Sequence, residues 1–129
     1  MLRVPTRLGP SPIHGIGVFA TAPIAKGTEV WRFTPGFDLD LDPSIIEDFP
    51  EHLQDWFAHF GYVDNHLGRL IVCLDNARFI NHSSHPNLRS DYGRDRYGPD
   101  YAIRDIEAGE ELTADYSGFE DPPTARRGL

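Results

Sequence analysis

Cysteine and lysine are nearly missing from this chain: Cys73 and Lys26 are the only ones in 129 residues. A single cysteine excludes an intramolecular disulfide and any multi-cysteine zinc cage. Cys73 lies in the apolar run Leu70–Leu74 and reads as a small buried hydrophobe. No apolar stretch approaches the roughly 20 residues of a membrane span. Residues 1–12 lack an apolar core of signal-peptide length, so the expectation is an intracellular, cytoplasmic chain with no membrane partner. Basic residues are absent between Phe33 and Gly68, where Asp38, Asp40, Asp42, Glu47, Asp48, Glu51, Asp55 and Asp64 all fall. Their combined charge equals the whole net charge of -8. Such a field attracts a basic partner and repels nucleic acid phosphate, although a merely solvated face looks the same in sequence.

What is present is the content of one ordinary domain spanning residues 1–129, with 40% apolar residues and no repeat or internal linker. Short apolar runs punctuated by Gly and Pro predict a mainly β fold. Strands are expected at Leu2–Val4, Gly17–Ala20, Glu29–Phe33, Leu70–Leu74, Leu88–Asp91, Tyr101–Ile106 and Leu112–Thr113. Ile24–Gly27 and Ile106–Gly109 read as two similar turns closed by glycine. One helical pattern runs from Ser44 to Phe60, with Ile45, Ile46, Phe49, Leu53, Trp56, Phe57 and Phe60 at spacings of three and four. Pro50 divides it into a short turn and a helix from Pro50 to about His59. The aromatic stripe is expected to face the core.

Chemistry-bearing residues concentrate in two blocks. The first is Arg78-Phe-Ile-Asn81-His82-Ser-Ser-His85-Pro-Asn87, and the second is Gly109-Glu-Glu-Leu-Thr-Ala-Asp115-Tyr116. His82 and His85, with Asp75 nearby, could be metal ligands, but a site needs three or four converging donors and the six histidines are scattered, so no metal is expected. Asn81 carries an acceptor and two donors, which suit an amino acid head group as well as a buried turn. Tyr116 at a strand end reads locally as a half-buried sheet residue.

Taken together, and with Gly15-Ile16-Gly17 upstream, these blocks resemble the SET domain family of protein lysine methyltransferases. The resemblance implies a SET-domain (β-clip) fold: several small sheets, a knot-like C-terminal segment and one short helical insert, here residues 34–68, with 117–129 as a tail. It implies a protein-lysine N-methyltransferase using S-adenosylmethionine. Asn81 would contact the methionyl amino end, the His82 main chain the adenine, and Ile16 and Gly17 the methionyl part. Tyr116 would stand at the methyl-transfer point as the catalytic residue. Phe119, three residues on, is a candidate to lie against the adenine or else a plug closing the core.

The departures from the family pattern matter for the substrate side. Ser84 replaces the usual cysteine after Asn-His-Ser, and no cysteine cluster exists to finish the lysine channel. Ser117–Pro123 or a second subunit of a homodimer must close it. Two positions that are often aromatic are Ser90 and Ala114 here, which implies a roomy channel open to di- or trimethylation unless Tyr62, Tyr92 or Tyr101 fills it. The expected partner is a basic, lysine-containing protein (histone-like, ribosomal or a histone tail), without direct nucleic acid contact. The competing expectation is a catalytically inactive SET-like interaction module that retains cofactor binding.

Overall fold

The computed structural model describes residues 1–120. Residues 121–129 of the expected tail lie outside the described residues. Three small sheets make up the domain. Strands β1 (Thr6–Pro10) and β2 (Ile16–Ala20) form an antiparallel hairpin. Its turn is closed by Gly15, whose φ of 46° suits a residue without Cβ. Strands β4 (Leu39–Leu41), β5 (Gly61–Val63) and β6 (Leu70–Val72) form an antiparallel sheet ordered β4-β6-β5. The third sheet, ordered β3-β9-β8-β10-β7, contains β3 (Glu29–Trp31), β7 (Asn81–His82), β8 (Leu88–Ser90), β9 (Asp100–Ala102) and β10 (Thr113–Ala114).

The placement of β10 dominates the topology. It lies parallel to and between β7 and β8, which are earlier in the chain and joined directly by residues 83–87. That connection therefore crosses β10, and the C-terminal segment passes beneath it, an exception to the usual avoidance of threading. Asn87 holds the crossing. Its buried side-chain oxygen accepts the Thr113 N–H at 2.9 Å, and its amide donates to the Glu111 carbonyl at 2.8 Å. The two similar turns meet each other, since Ile24 and Ile106 bridge antiparallel, and both isoleucines are buried. Around them Val18, Val30, Leu88 and Leu112 form the main core, and Trp31, Phe33, Ile71 and Cys73 form a second cluster.

Several expected elements fall differently. Leu2–Val4 is not a strand. Leu2 only bridges Trp31, while the five-residue strand β1 follows at Thr6–Pro10, where two prolines flank a polar stretch. The helical region divides at Pro50 as expected, into a 3-10 turn (Pro43–Asp48) and α1 (Glu51–Phe60). The aromatic stripe, however, does not enter the core, because no residue of α1 is buried. Its rings pack chiefly on one another, Trp56 on Phe57 and Phe60, and reach the body through Phe60 on Phe79. Half of the acidic run has structural work. Asp38 is buried against the Met1 amine at 2.7 Å, Asp40 binds Arg69 and Tyr97, Asp42 caps the 3-10 turn, and buried Asp64 accepts from the Tyr92 hydroxyl. The exposed remainder is Glu47, Asp48, Glu51 and Asp55, all on the insert. No helix among the described residues is long and apolar enough to cross a membrane.

Candidate active site

The two sequence blocks meet because β7 and β10 are adjacent. Their pairing sets Thr113 opposite Asn81 and Ala114 opposite His82, although about 30 residues separate them in the chain. The hairpin of β1 and β2 closes onto the same place. The Asn81 amide nitrogen donates to the His14 carbonyl at 3.0 Å, the Ile16 carbonyl at 3.3 Å and the Glu111 carboxylate at 2.9 Å. Three oxygens around one nitrogen fix which way the amide faces. The amide oxygen is left as an acceptor that no donor meets among the described residues.

Glu111 is the hub that sequence reasoning passed over. Besides Asn81 it accepts from the Ser11 hydroxyl at 2.8 and 2.9 Å. It also explains Gly17: a Cβ there would stand 2.5 Å from the Glu111 Oε2 atom and 3.0 Å from Ser11 Cβ. The second glycine of the turn thus makes room for a carboxylate of this chain. Glu111 could have been suspected from the doubled acid in Gly-Glu-Glu-Leu, where strand alternation turns one of two neighbours inward.

His82 and Tyr116 are tied to each other. His82 is exposed, and its Nδ1 accepts the Tyr116 N–H at 3.1 Å, which leaves the ring proton on Nε2. The ring lies edge-on to the Tyr116 ring at 5.2 Å. Tyr116 is buried, and its hydroxyl donates to the Ile80 carbonyl. Asp115, between them, caps the following 3-10 turn through the Ser117 N–H at 3.0 Å. That bond and the Ser117 hydroxyl hold its carboxyl below the usual range.

Two cavities meet at this tyrosine. A polar cleft is lined by His14, Ile16, His59, Arg78, Phe79, Ile80, Asn81 and Tyr116. A narrow cavity of about 40 Å³ is walled by Trp31, Phe60, Tyr62, Phe119 and Tyr116, with Ser90, Asp100 and Ala114 among its other lining residues. The two share Arg78, Ile80 and Tyr116. Arg78, also missed in the sequence reading, has a buried Nε without a hydrogen-bond partner among the described residues, and its guanidinium lies over Phe60 and Phe79. A wider cleft of about 380 Å³ shares Ser90, Ala114 and Phe119 with the narrow cavity.

The sequence-selected residues therefore separate into two groups. Ile16, Asn81 and Tyr116 line the polar cleft, with Gly17 and His82 beside it. Tyr62, Ser90, Ala114 and Phe119 line the narrow cavity together with Tyr116. Phe119 does not line the cleft of Asn81. It packs on Tyr62 at 4.9 Å and Tyr116 at 5.5 Å, while its carbonyl accepts the Asn65 N–H at 2.8 Å. The segment after Tyr116 thus supplies a wall to the narrow cavity without any cysteine. Of the three tyrosines considered for the space beside Ser90 and Ala114, only Tyr62 lines the cavity. Tyr92 is held by Asp64 and stacked on His66 at 3.6 Å, and Tyr101 turns to Glu29 and Arg94.

Comparison with known proteins agrees with this fold. The SET domain model matches residues 15–117. The histone-lysine N-methyltransferase, H3 lysine-4 specific, of Debaryomyces hansenii is 30% identical over 95% of this chain. The corresponding protein of Schizosaccharomyces pombe is 34% identical over 84%. The chain spans only 12% of the length of either relative. Among solved structures, a Polycomb Repressive Complex 2 chain of Chaetomium thermophilum bound to an inhibitor is similar with a TM-score of 0.61 and 26% identity. The match covers 90% of this chain and 15% of that one. A Plasmodium falciparum chain described as a candidate histone methyltransferase matches at a TM-score of 0.60 and 21% identity over 89% of this chain and 95% of its own, a likeness of fold. The chain belongs to the SET domain family.

Proposed function

We propose that this protein transfers a methyl group from S-adenosylmethionine to the side-chain amine of a lysine in a basic protein segment. The observation that carries the reading is the junction of a polar cleft with a narrow, aromatic-walled cavity at Tyr116. A methyl transfer needs its donor and acceptor to approach one point in line from separate compartments. The polar cleft fits the donor's head group. The Asn81 amide oxygen is free to receive an ammonium, and Arg78 offers to a carboxylate a buried N–H that has no partner among the described residues. When bound there, S-adenosylmethionine supplies an electrophilic methyl group and a positive charge.

The chain's own residues do the rest. Tyr62, Trp31, Phe60 and Phe119 exclude water from the acceptor cavity, which disfavours the ammonium form of an entering lysine. Their ring faces still attract the cation during entry. Tyr116 and the Ile80 carbonyl supply a hydroxyl and an acceptor at the junction to orient the amine. Exposed Glu47, Asp48, Glu51 and Asp55 on the insert favour a lysine-rich segment, such as a histone tail or a histone-like or ribosomal protein. The small residues Ser90 and Ala114 leave room for more than one methyl group, so mass spectrometry of the product should find di- or trimethyl-lysine.

The test is calorimetric titration with S-adenosylmethionine, followed by transfer of labelled methyl to core histones. The parent should bind and transfer. Tyr116→Phe should bind nearly as well and transfer at least roughly a hundredfold more slowly, the scale of a lost orienting group. A parent that does not bind the donor sinks the enzyme reading. A parent that binds but methylates no basic protein is the inactive interaction module.

A further inference from the structure

Among the described residues, one carboxyl group lines the narrow cavity, and neither motif accounts for it. Asp100 lies on β9, where its cross-strand partners are Trp31 on β3 and Ser90 on β8. Residues directly opposite one another share a face of a sheet, and all three line the cavity together with Tyr116. This is the inward face, flanked along β9 by buried Ala102. Aspartate is disfavoured in strands, and an inward carboxylate is costly without compensation. Here the compensation is small. The Ser90 hydroxyl donates to Oδ1 at 2.7 Å, and no second donor or cation pairs with the carboxylate among the described residues. The Trp31 indole N–H on the same row is itself buried without a partner among the described residues.

We propose that Asp100 receives the ammonium of the entering lysine and takes its proton, a reading that rests on the lysine channel proposed above. One N–H bond of the ammonium breaks and its proton passes to the carboxylate, leaving the lone pair on nitrogen and Asp100 neutral. That lone pair forms the bond to the transferred methyl as the methyl–sulfur bond breaks and its electrons return to sulfur. The proton leaves Asp100 for solvent when product departs. Burial raises Asp100 to about 6, only partly offset by Ser90, which suits a base working near neutrality. The other titratable groups near it are Tyr62, Cys73, Tyr92, Tyr116, Arg78 and the Met1 amine. Burial pushes Tyr62, Cys73 and Tyr92 upward, so they stay neutral across that range. The Met1 amine is paired with Asp38.

The experiment is a carbon NMR titration of the full chain carrying carboxyl-labelled aspartate, with Asp100→Asn used for assignment. The probes are n-butylammonium, as a lysine side-chain surrogate, and n-butanol, as its neutral control. The Asp100 resonance should move with the amine and not the alcohol, and its midpoint should fall by about one pH unit, as a nearby cation requires. A midpoint unmoved by the amine overturns the proposal. In methyl transfer, the parent's rate should rise with pH and level off above about pH 7. Asp100→Asn should lose at least about a hundredfold at pH 7 and keep climbing with pH, while Ser90→Ala should move the parent's rise to higher pH. An Asp100→Asn enzyme with the parent's rate and profile also overturns the proposal. If the amine moves Asp100 but the parent methylates nothing, the cation site stands and the methyltransferase reading falls.

Discussion

Asn81 and Asp100 are both polar residues on strands of the same sheet, yet they are held very differently. Asn81 has three acceptors on one nitrogen, from the hairpin turn and from Glu111. Among the described residues Asp100 has a single hydroxyl donor and a row of neighbours that give it little. The cleft around Asn81 is over-determined by the chain before any ligand arrives. The cavity around Asp100 is under-determined, and its polar groups await something. On the proposed reading, the cofactor meets a rigid mould, whereas the acceptor side admits and releases a charged side chain.

Substitutions can break or sharpen this contrast. Among effects on binding and stability, the largest should come from Asn81→Ala, which removes the proposed acceptor for the donor's ammonium and strips Glu111 of a partner. Affinity for S-adenosylmethionine should fall about 10- to 100-fold by calorimetry, the scale of a hydrogen bond to a charged group. Gly17→Ala drives a Cβ into Glu111 and should cost about 2 kcal/mol in denaturant unfolding, with a parallel loss of donor affinity.

Asp100→Asn should act in the opposite direction. Asp100 binds its proton more tightly when folded, so its presence is harmless at low pH and becomes a cost as pH rises from about 4 through about 6. At pH 8 the Asn variant should therefore be more stable by about 2 kcal/mol, and at pH 4 the gain should vanish; melting curves at both values check it. The smallest effect should be Phe119→Leu, about 1 kcal/mol, since the ring is half-buried. Its donor affinity should be unchanged, because Phe119 lines the acceptor cavity and not the cleft of Asn81.

The same contrast explains what could be read in the chain. Asn81, His82 and Tyr116 stand in short contiguous blocks, and their meeting required only that β7 and β10 pair, while Gly17 joins them where the hairpin of β1 and β2 closes onto Glu111. The division of the helical insert at Pro50 was likewise local, a matter of a missing N–H. The acceptor side was not local. Trp31, Asp100 and Ser90 are far apart in sequence and become neighbours only through the registers of β3, β9 and β8. Phe119 was visible as an aromatic after Tyr116, but which compartment it would wall depended on its contact with Tyr62. The aromatic stripe of α1 carried the right helical period, yet period does not say which surface will cover it.

The crossing of residues 83–87 over β10 has a consequence for how the protein is made. Chains emerge from the ribosome N-terminus first, and β10 is the last strand of the sheet that it completes. Until it slides in between β7 and β8, Tyr116 cannot meet Ile80, His82 has no N–H to hold and Glu111 cannot brace Asn81. Pairings of such long sequence separation form slowly. A half-made chain therefore lacks the proposed site, and competence for the proposed methyl transfer arrives in one late step that also certifies that the fold is finished.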